Sequence, residues 1–239
     1  MASRFDLFTN VMLIAASVIV IAAAALQMGV RSAVGPRPVP RAVEDVDGLE
    51  LWLGDLPSIG SADAKLAIVE FSDFECRFCS RFARETLGQI RREFVDTGKI
   101  RYMFSDYPIA DIHDFAFRAG EAAECAREQG KYLEIRDRLL ANQDRLAAPD
   151  LTSHARAVGL DMSTFDACLS QGRAATLRGR IARAERAGVR STPTFLIGQV
   201  QPGGKLRVLK RVNGARHYDT FRRVLEQLVP SAAPWPSGS

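Results

Sequence analysis

The pattern of apolar positions predicts two strands on either side of a helix in the first half of the chain. The run LAIVEF (66–71) is apolar almost throughout, which is typical of a buried strand. From Arg77 onward apolar side chains recur at helical spacing, and the DTG at 96–98 ends that helix. KIRYMF (99–104) again has strand character. Strand, helix and strand in this order predict a βαβ unit and therefore a parallel pair.

A block of helices follows, and strands return only near the C-terminus. TPTFLIG (192–198) and KLRVLKRV (205–212) have strand character, and the NG after them predicts a turn. YDTFRRVLEQLV (218–229) is an amphipathic helix. The order β-α-β, helices, β-β-α predicts an α/β sandwich with an all-helical insertion at about residues 108–188.

The first thirty residues have a different character. No Lys, Arg, Asp or Glu occurs from Leu7 to Val30. Because a helix rises about 1.5 Å per residue, roughly 20 apolar residues cross the hydrocarbon layer of a bilayer. We therefore expect residues 1–30 to form a signal-anchor or transmembrane helix. The small residues Ala22–Ala25 leave a cleaved signal peptide as the alternative.

Two further segments lack periodicity. Residues 31–57 are predicted to be a linker, because the stretch RSAVGPRPVPRAVEDVDG that opens them mixes Pro, Gly and charge. Residues 230–239, PSAAPWPSGS, are predicted to be a disordered tail. The folded body is therefore expected between residues 58 and 229.

Composition is consistent with one domain of ordinary size. The chain has 239 residues, of which 47% are apolar, and this is enough for a sizeable core. The net charge of +4 is spread over isolated Arg residues rather than a dense block. Nucleic acid is therefore not expected as a partner.

The candidate chemistry lies in FECRFCSRF (74–82), where the first strand ends and the helix begins. Unpaired N–H groups and the positive end of the helix dipole favour a thiolate in the first helical turn. Arg77 adds a neighbouring cation. We therefore expect Cys76 to have a lowered pKa and to be the attacking sulfur, with Cys79 as the deeper resolving thiol.

The sequence allows two other interpretations of this pair. Half of a tetrahedral zinc site needs two more ligands, usually a second close pair. Cys125 and Cys168 are far apart in the sequence, and the three His residues are scattered. Two inert buried thiols are disfavoured, because a helix start activates a thiol rather than protecting it. Neither a metal nor another cofactor is therefore expected.

Four segments together resemble the DsbA-like thioredoxin-fold oxidoreductases: VEFSDFECRFCSRF, AAECAREQGKY, FDACL and STPTFLIG. The likeness is greatest to the membrane-anchored branch with a second disulfide, and it covers residues 58–229. It implies a thioredoxin fold with an inserted all-helical domain and a protein-disulfide oxidoreductase activity.

The resemblance also implies roles for individual residues. Thr192-Pro193 matches the cis-proline motif that faces the active disulfide, and X–Pro is the bond that tolerates cis. Pro193 lacks an N–H, so the backbone nearby could pair with a client strand; an ordinary Pro at a strand start is the alternative. Glu70 matches a buried carboxylate that handles the proton of the resolving cysteine, whereas a solvated strand Glu is the alternative.

The resemblance further implies a structural disulfide between Cys125 and Cys168, which fall on the apolar sides of two predicted helices. Two free core thiols are the alternative. His113, His154 and His217 are expected to be caps or surface residues.

The orientation of the body is indicated by two conflicting signals. Only Arg4 and the amino terminus precede the apolar span, whereas Arg31, Arg37 and Arg41 follow it. Counted literally, the positive-inside rule would leave the body in the cytoplasm. An even number of cysteines beside a membrane span fits an oxidising compartment instead, and we give this more weight. The body is therefore expected to face the periplasm or another extracytoplasmic space.

The resulting hypothesis is an anchored oxidoreductase that introduces disulfides into reduced secreted or envelope proteins. By resemblance, a membrane quinone-linked reoxidase of the DsbB or vitamin-K-epoxide-reductase type would regenerate it. Two departures from the pattern of the resembling family leave the direction of electron flow open. Arg77 replaces the Pro or Gly often found directly after the first cysteine of the pair, and Thr192 replaces the Val common in the strongest oxidase. A reductase or isomerase using the same pair, and a redox-silent peptide-binding module, are the alternatives.

Overall fold

A mixed sheet forms the centre of the computed structural model, which describes residues 41–229. Within these residues the strands run in the order β1-β7-β6-β4-β5-β3, and β2 also pairs with β7. Their bounds are β1 (Val43–Asp45), β2 (Glu50–Trp52), β3 (Ser58–Ile59), β4 (Leu66–Ser72), β5 (Ile100–Asp106), β6 (Thr194–Gln201) and β7 (Lys205–Asn213).

The predicted βαβ unit is present. Strands β4 and β5 are parallel, with Leu66 opposite Ile100 and Ser72 opposite Asp106, and β4 is antiparallel to β6. All seven residues of β4 are buried, because apolar clusters cover both faces of the sheet. The strand that precedes the cysteine pair is therefore the most enclosed part of the sheet.

The helix that follows β4 is present but interrupted. It consists of α1 (Arg77–Glu85), α2 (Leu87–Ile90) and a π-helical turn (Arg91–Val95). The break falls at Thr86, whose hydroxyl donates a hydrogen bond to the carbonyl oxygen of Arg216 over 3.2 Å. Phe82 and Ile90, on the two sides of the break, are buried in the same apolar cluster, so the break does not change which face of the helix is buried.

The helical insertion is confirmed, and it lies between β5 and β6. Its members are α3 (Ala116–Glu128), α4 (Tyr132–Ala141), α5 (Ala148–Ala157), α6 (Met162–Gln171) and α7 (Ala174–Arg186). The last helix, α8 (Tyr218–Leu228), follows β7. The mixed α/β class with an all-helical insertion is therefore as predicted.

The linker prediction for residues 31–57 is wrong for the part from residue 41 onward. Strands β1 and β2 pair antiparallel with β7, with Val43 opposite Val212 and Leu51 opposite Leu206. Short edge strands tolerate the charged residues that made this stretch look irregular, because one side of such a strand faces solvent. The side chain of Leu51 is buried, so the segment belongs to the folded body.

The remaining predictions for the two chain ends lie outside the described residues. They concern the membrane span at 1–30, the linker residues 31–40 and the tail at 230–239. Among residues 41–229, no helix combines the length and the apolar character needed to cross a bilayer.

Candidate active site

Cys76 occupies the junction between β4 and α1. The chain leaves the sheet after Ser72 and turns, and the N–H of Cys76 donates to the carbonyl oxygen of Asp73 over 3.2 Å. Cys76 is the residue immediately before α1, and its own carbonyl accepts from the N–H groups of Cys79 and Ser80 at 2.9 and 3.2 Å. Both cysteines are free thiols in the structure, and both are buried.

The electrostatic setting of Cys76 lowers its pKa to about 6. The largest cause is a hydrogen bond from the Cys79 thiol, and burial opposes it. Thr192 and the backbone N–H groups of Cys79 and Phe78 lower the pKa further. Arg77, expected to act as a neighbouring cation, has an exposed side chain, so the second thiol and the helix start are the stronger influences.

Cys79 has the opposite acidity. Burial raises its pKa well above the ordinary thiol value, and the hydrogen bond and charge of Cys76 raise it further. The Ser72 hydroxyl acts in the other direction. At neutral pH the pair therefore consists of one thiolate and one thiol, which is the asymmetry that directional exchange requires.

The sheet brings the predicted proline motif to this pair. The Thr192–Pro193 peptide bond is cis, and the Sγ of Cys76 lies 3.4 Å from the carbonyl oxygen of Thr192. Strand β6 begins at the next residue, Thr194, which pairs with Phe71 of β4. Neighbouring strands thus place two segments together that are far apart in the sequence.

Glu70 is fully buried, so the solvated alternative is wrong. The Nη2 atom of Arg136 lies 3.1 and 3.0 Å from its two carboxylate oxygens. The hydroxyl of Tyr102 donates to Oε2 over 2.8 Å. The buried carboxylate of the sequence prediction is therefore held as an ion pair whose oxygens already have donors.

The geometry of the site agrees with comparisons to known proteins. A family model described as thioredoxin matches residues 54–227, which is most of the chain. The chain belongs to the thioredoxin family. Among solved structures, DsbA1 of Wolbachia pipientis superposes with a TM-score of 0.64 at 20% identity, covering 75% of this chain and 93% of that one.

Two more solved structures support the same fold. BdbD of Bacillus subtilis in its oxidised form has a TM-score of 0.64 at 17% identity, and it covers 78% of this chain and 99% of its own. DsbA of Chlamydia trachomatis has a TM-score of 0.61 at 21% identity, with 76% and 95% covered. This thioredoxin-family protein therefore has the fold of DsbA-type thiol-disulfide oxidoreductases.

Curated relatives of this thioredoxin-family protein include much longer chains. The Na(+)/H(+) antiporter NhaA 3 of Salinispora tropica is 36% identical over 178 residues, which is 72% of this chain and 24% of the antiporter. NhaA 1 of Salinispora arenicola is 34% identical over the same length and share. The chain thus spans about a quarter of the length of these relatives.

Asp73 and His113 form a pair beside Cys76 that the sequence analysis missed. The buried carboxylate of Asp73 accepts hydrogen bonds from the N–H groups of Glu75 (2.8 Å) and Ile109 (2.7 Å) and from Nδ1 of His113 (2.8 Å). Although burial opposes it, the hydrogen bond and charge of Asp73 raise the pKa of His113. His113 therefore contacts the active-site loop, the residues 73–76 between β4 and α1, and is not a surface cap.

A second residue that the sequence analysis missed fastens the same loop to the insertion. The side-chain amide of Gln143, just beyond α4, donates to the carbonyl oxygens of Phe74 (2.6 Å) and Cys76 (3.0 Å). A lone Gln in a polar turn carries no pattern that would have marked it. It gives the carbonyl oxygen of Phe74 a donor and adds a further donor to that of Cys76, which already accepts from the N–H groups of Cys79 and Ser80.

The other two histidines have different surroundings. His154 is buried, contrary to expectation: its Nε2 lies 2.9 Å from the carbonyl oxygen of Arg145, and Arg138 donates to its Nδ1 over 3.1 Å. His217 is exposed and stands immediately before α8, as expected.

Cys125 and Cys168 are joined by a disulfide bond. Their Cα atoms are 5.8 Å apart, and the bond links α3 to α6 within the insertion. The alternative of two free core thiols is therefore wrong. Among residues 41–229, no group of three or more His, Cys, Asp or Glu side chains is arranged to hold a metal ion.

Proposed function

We propose that this protein is a thiol:disulfide oxidoreductase that acts through Cys76 and Cys79 and oxidises its clients. A client thiolate attacks Sγ of Cys76 in the oxidised pair, and the Cys76–Cys79 bond breaks as Cys79 leaves. A second client thiolate then attacks the client sulfur of this mixed disulfide and releases Cys76. The client gains one disulfide, and the pair gains two electrons and becomes a dithiol.

The observation that carries this proposal is the unequal acidity of the two thiols. With a pKa of about 6, Cys76 is about nine-tenths thiolate at pH 7. A stabilised thiolate favours the reduced form of the pair, so the oxidised form is a stronger oxidant. It also makes Cys76 the better leaving group when the client resolves the mixed disulfide.

The surroundings of the pair support a protein client. The side chains of Phe78, Ile112 and Phe115 are 48%, 70% and 46% exposed. Phe78 lies between the two cysteines, and the N–H of Phe115 donates to Glu75 of the active-site loop over 2.6 Å. Reduced, unfolded chains present apolar side chains that these exposed apolar side chains can contact.

Location and partners form the remaining part of the proposal. The disulfide in the insertion supports an oxidising compartment, because such bonds are rare in the cytosol. We place the body in the periplasm or another extracytoplasmic space, tethered by residues 1–30. A quinone-linked membrane reoxidase of the DsbB or vitamin-K-epoxide-reductase type would withdraw the two electrons from the dithiol.

The direction of electron flow is tested by equilibrating the full chain with glutathione buffers of defined ratio. We expect a reduction potential well above that of thioredoxin, which is about −270 mV. A potential at or below that value would assign the protein to the reductases instead.

A companion assay separates catalysis from binding. The oxidised chain is mixed with a reduced, unfolded client, and client disulfides are counted. We expect wild type to form them and Cys76→Ser to form none. A client that binds wild type without acquiring a disulfide would identify a redox-silent binding module.

A further inference from the structure

Two buried oxygen atoms without hydrogen-bond partners among residues 41–229 lie at the ends of neighbouring strands. They are Oγ of Ser72, the last residue of β4, and Oδ2 of Asp106, the last residue of β5. The exposed fractions of these residues are 7% and 2%. A buried polar atom without a partner is costly, so a pair of them invites a functional explanation.

The sheet register places these two side chains together. Ser72 is directly opposite Asp106 in the parallel pairing of β4 and β5, and paired positions point to the same face. Ile68 and Tyr102 lie four residues before Ser72 and Asp106 on the same two strands, so all four point to the same face of the sheet. Ile68 and Tyr102 belong to the apolar cluster that also contains Cys79. Ser72 and Asp106 therefore face the side of the sheet on which the resolving thiol is buried.

Ser72 is also close enough to Cys79 to affect it. Its hydroxyl is one of the two groups that lower the pKa of this thiol against burial and against Cys76. Ser72 is thus opposite Asp106 in the strand pairing and also acts on the Cys79 thiol. A hydroxyl can accept a proton on one side while it donates its own on the other.

Glu70, the carboxylate that the resemblance implies for this task, is poorly placed to accept a proton. Arg136 contacts both of its oxygens, and the hydroxyl of Tyr102 donates to one of them. Protonation would leave the buried guanidinium of Arg136 with only the exposed carboxylate of Asp137 as a counter-charge, which is unfavourable. Asp106 has one carboxylate oxygen, Oδ2, without a hydrogen-bond partner, and no guanidinium group forms an ion pair with it in the described residues.

The surroundings of Asp106 bring its pKa close to neutral pH. Burial raises its pKa to about 6. The hydroxyl of Tyr132 on α4 donates to Oδ1 over 2.7 Å and lowers the pKa. The charges of Arg180 on α7 and Arg136 on α4 also lower it, and Glu70 on β4 raises it.

We propose that Asp106, acting through the hydroxyl of Ser72, exchanges the proton of the resolving thiol Cys79. This inference rests on the proposed function of the pair. When Cys79 attacks the mixed disulfide, its proton passes to Ser72 Oγ while the Ser72 proton passes to Asp106 Oδ2. The new Cys79–Cys76 bond forms, and the partner sulfur leaves as a thiolate. When a client reduces the pair, the same steps run in reverse and the Cys79 thiolate takes its proton back.

The test follows the reaction of the reduced full chain with Ellman's reagent, which releases two coloured thiolates in sequence. Cys76 releases the first in a phase whose rate depends on reagent concentration. Cys79 then resolves the adduct and releases the second in a phase that does not. Because Cys76 is blocked during the second phase, its pH dependence reports only the proton of Cys79 and its acceptor.

Matched variants identify the acceptor. In wild type we expect the second phase to accelerate through a midpoint near pH 6, the pKa of Asp106. Asp106→Asn keeps the hydrogen bond with Tyr132 but should remove this midpoint and slow the second phase roughly hundredfold at pH 7. Ser72→Ala should slow it similarly, Ser72→Thr should restore most of the rate, and the exposed Asp166→Asn should change neither phase.

A second variant tests the assignment without altering the acceptor. Tyr132→Phe removes a hydrogen bond that favours the ionised carboxylate, so it should move the midpoint to higher pH. This readout also serves if Asp106→Asn does not fold. An unchanged midpoint in Tyr132→Phe, or a second phase that Asp106→Asn leaves intact, would overturn the assignment while the proposed function stands. A midpoint lost only in Glu70→Gln would assign the proton to Glu70, and the absence of both phases in wild type would overturn the proposed function itself.

Discussion

The hydrogen bond from Cys79 to Cys76 is the interaction whose removal has the most direct consequence. It is the largest cause of the lowered pKa of Cys76, ahead of Thr192 and the backbone N–H groups. Cys79→Ala removes the donor altogether, whereas Cys79→Ser replaces the thiol by a hydroxyl that can donate to the same sulfur. Both variants leave the helix start and the Thr192–Pro193 segment unchanged.

The size of the effect follows from the strength of a hydrogen bond to a charged group, about 1.5–3 kcal/mol. This energy corresponds to about one to two pKa units. In Cys79→Ala the pKa of Cys76 should therefore rise from about 6 to between roughly 7 and 8. The thiolate fraction at pH 7 should fall from about nine-tenths to between about a half and a tenth.

The assay is the pH dependence of alkylation of the full chain by iodoacetamide, which reacts with thiolates. Wild type should show a midpoint near 6, Cys79→Ala a clearly higher one, and Cys79→Ser an intermediate one. A midpoint in Cys79→Ala that coincides with wild type would show that the helix start and Thr192 account for the acidity without the Cys79 hydrogen bond. Equal shifts of the Cys76 midpoint in the Ala and Ser variants would show that a hydrogen-bond donor at position 79 does not cause the lowered pKa.

Three further predictions concern stability, each measured by urea unfolding of the full chain. The Cys125→Ala, Cys168→Ala double variant should lose about 2–4 kcal/mol, because the disulfide closes a loop with a sequence separation of 43; an unchanged midpoint would contradict this. Arg136→Met should cost about 3–5 kcal/mol by leaving Glu70 buried without its counter-charge, and the added change Glu70→Gln should recover part of the loss, whereas additive losses would argue against the ion pair. The pKa of Asp106 is raised to about 6 in the folded state, so the contribution of its protonated carboxyl to the free energy of unfolding is fully present below about pH 3.8. This contribution is lost as pH rises through 6. Asp106→Asn should therefore stabilise the protein by up to roughly 3 kcal/mol at pH 8 and by little at pH 3, and equal effects at both pH values would exclude this linkage.

Local patterns in the sequence predicted the centre of the site. The apolar run that becomes β4, the cysteine at the first helical turn and the Thr-Pro before β6 are each encoded within a few residues. Their chemistry follows from position along the chain, since a helix start presents free N–H groups whatever the rest of the fold does. The thiolate at Cys76 could therefore be anticipated, although its largest cause is Cys79 and not Arg77.

What the sequence did not reveal depends on contacts between distant segments. Strands β1 and β2 are only three residues each, and they are defined by β7 at the other end of the chain. Strands this short have too few alternating positions to be distinguished from a linker. Their partner, not their composition, determines their structure.

The side chains around the cysteines also depend on contacts between segments that are distant in the sequence, so their surroundings could not be predicted from local patterns. Glu70 was placed near the pair, but its ion pair with Arg136 spans β4 and α4, so its state could not be inferred. His113 and Asp73 meet only because the loop after β5 folds back on the active-site loop. Asp106 is one acidic residue among many in the sequence, and only the strand register places it opposite Ser72.

The most direct test of the account is an ultraviolet titration of thiolate absorbance in the reduced full chain, with Cys76→Ser as the blank. The lowered pKa of Cys76 predicts one ionisation near pH 6 that is present in wild type and absent from the variant. A first ionisation at the ordinary thiol value of about 8.5, or one near 6 that survives in Cys76→Ser, would contradict it.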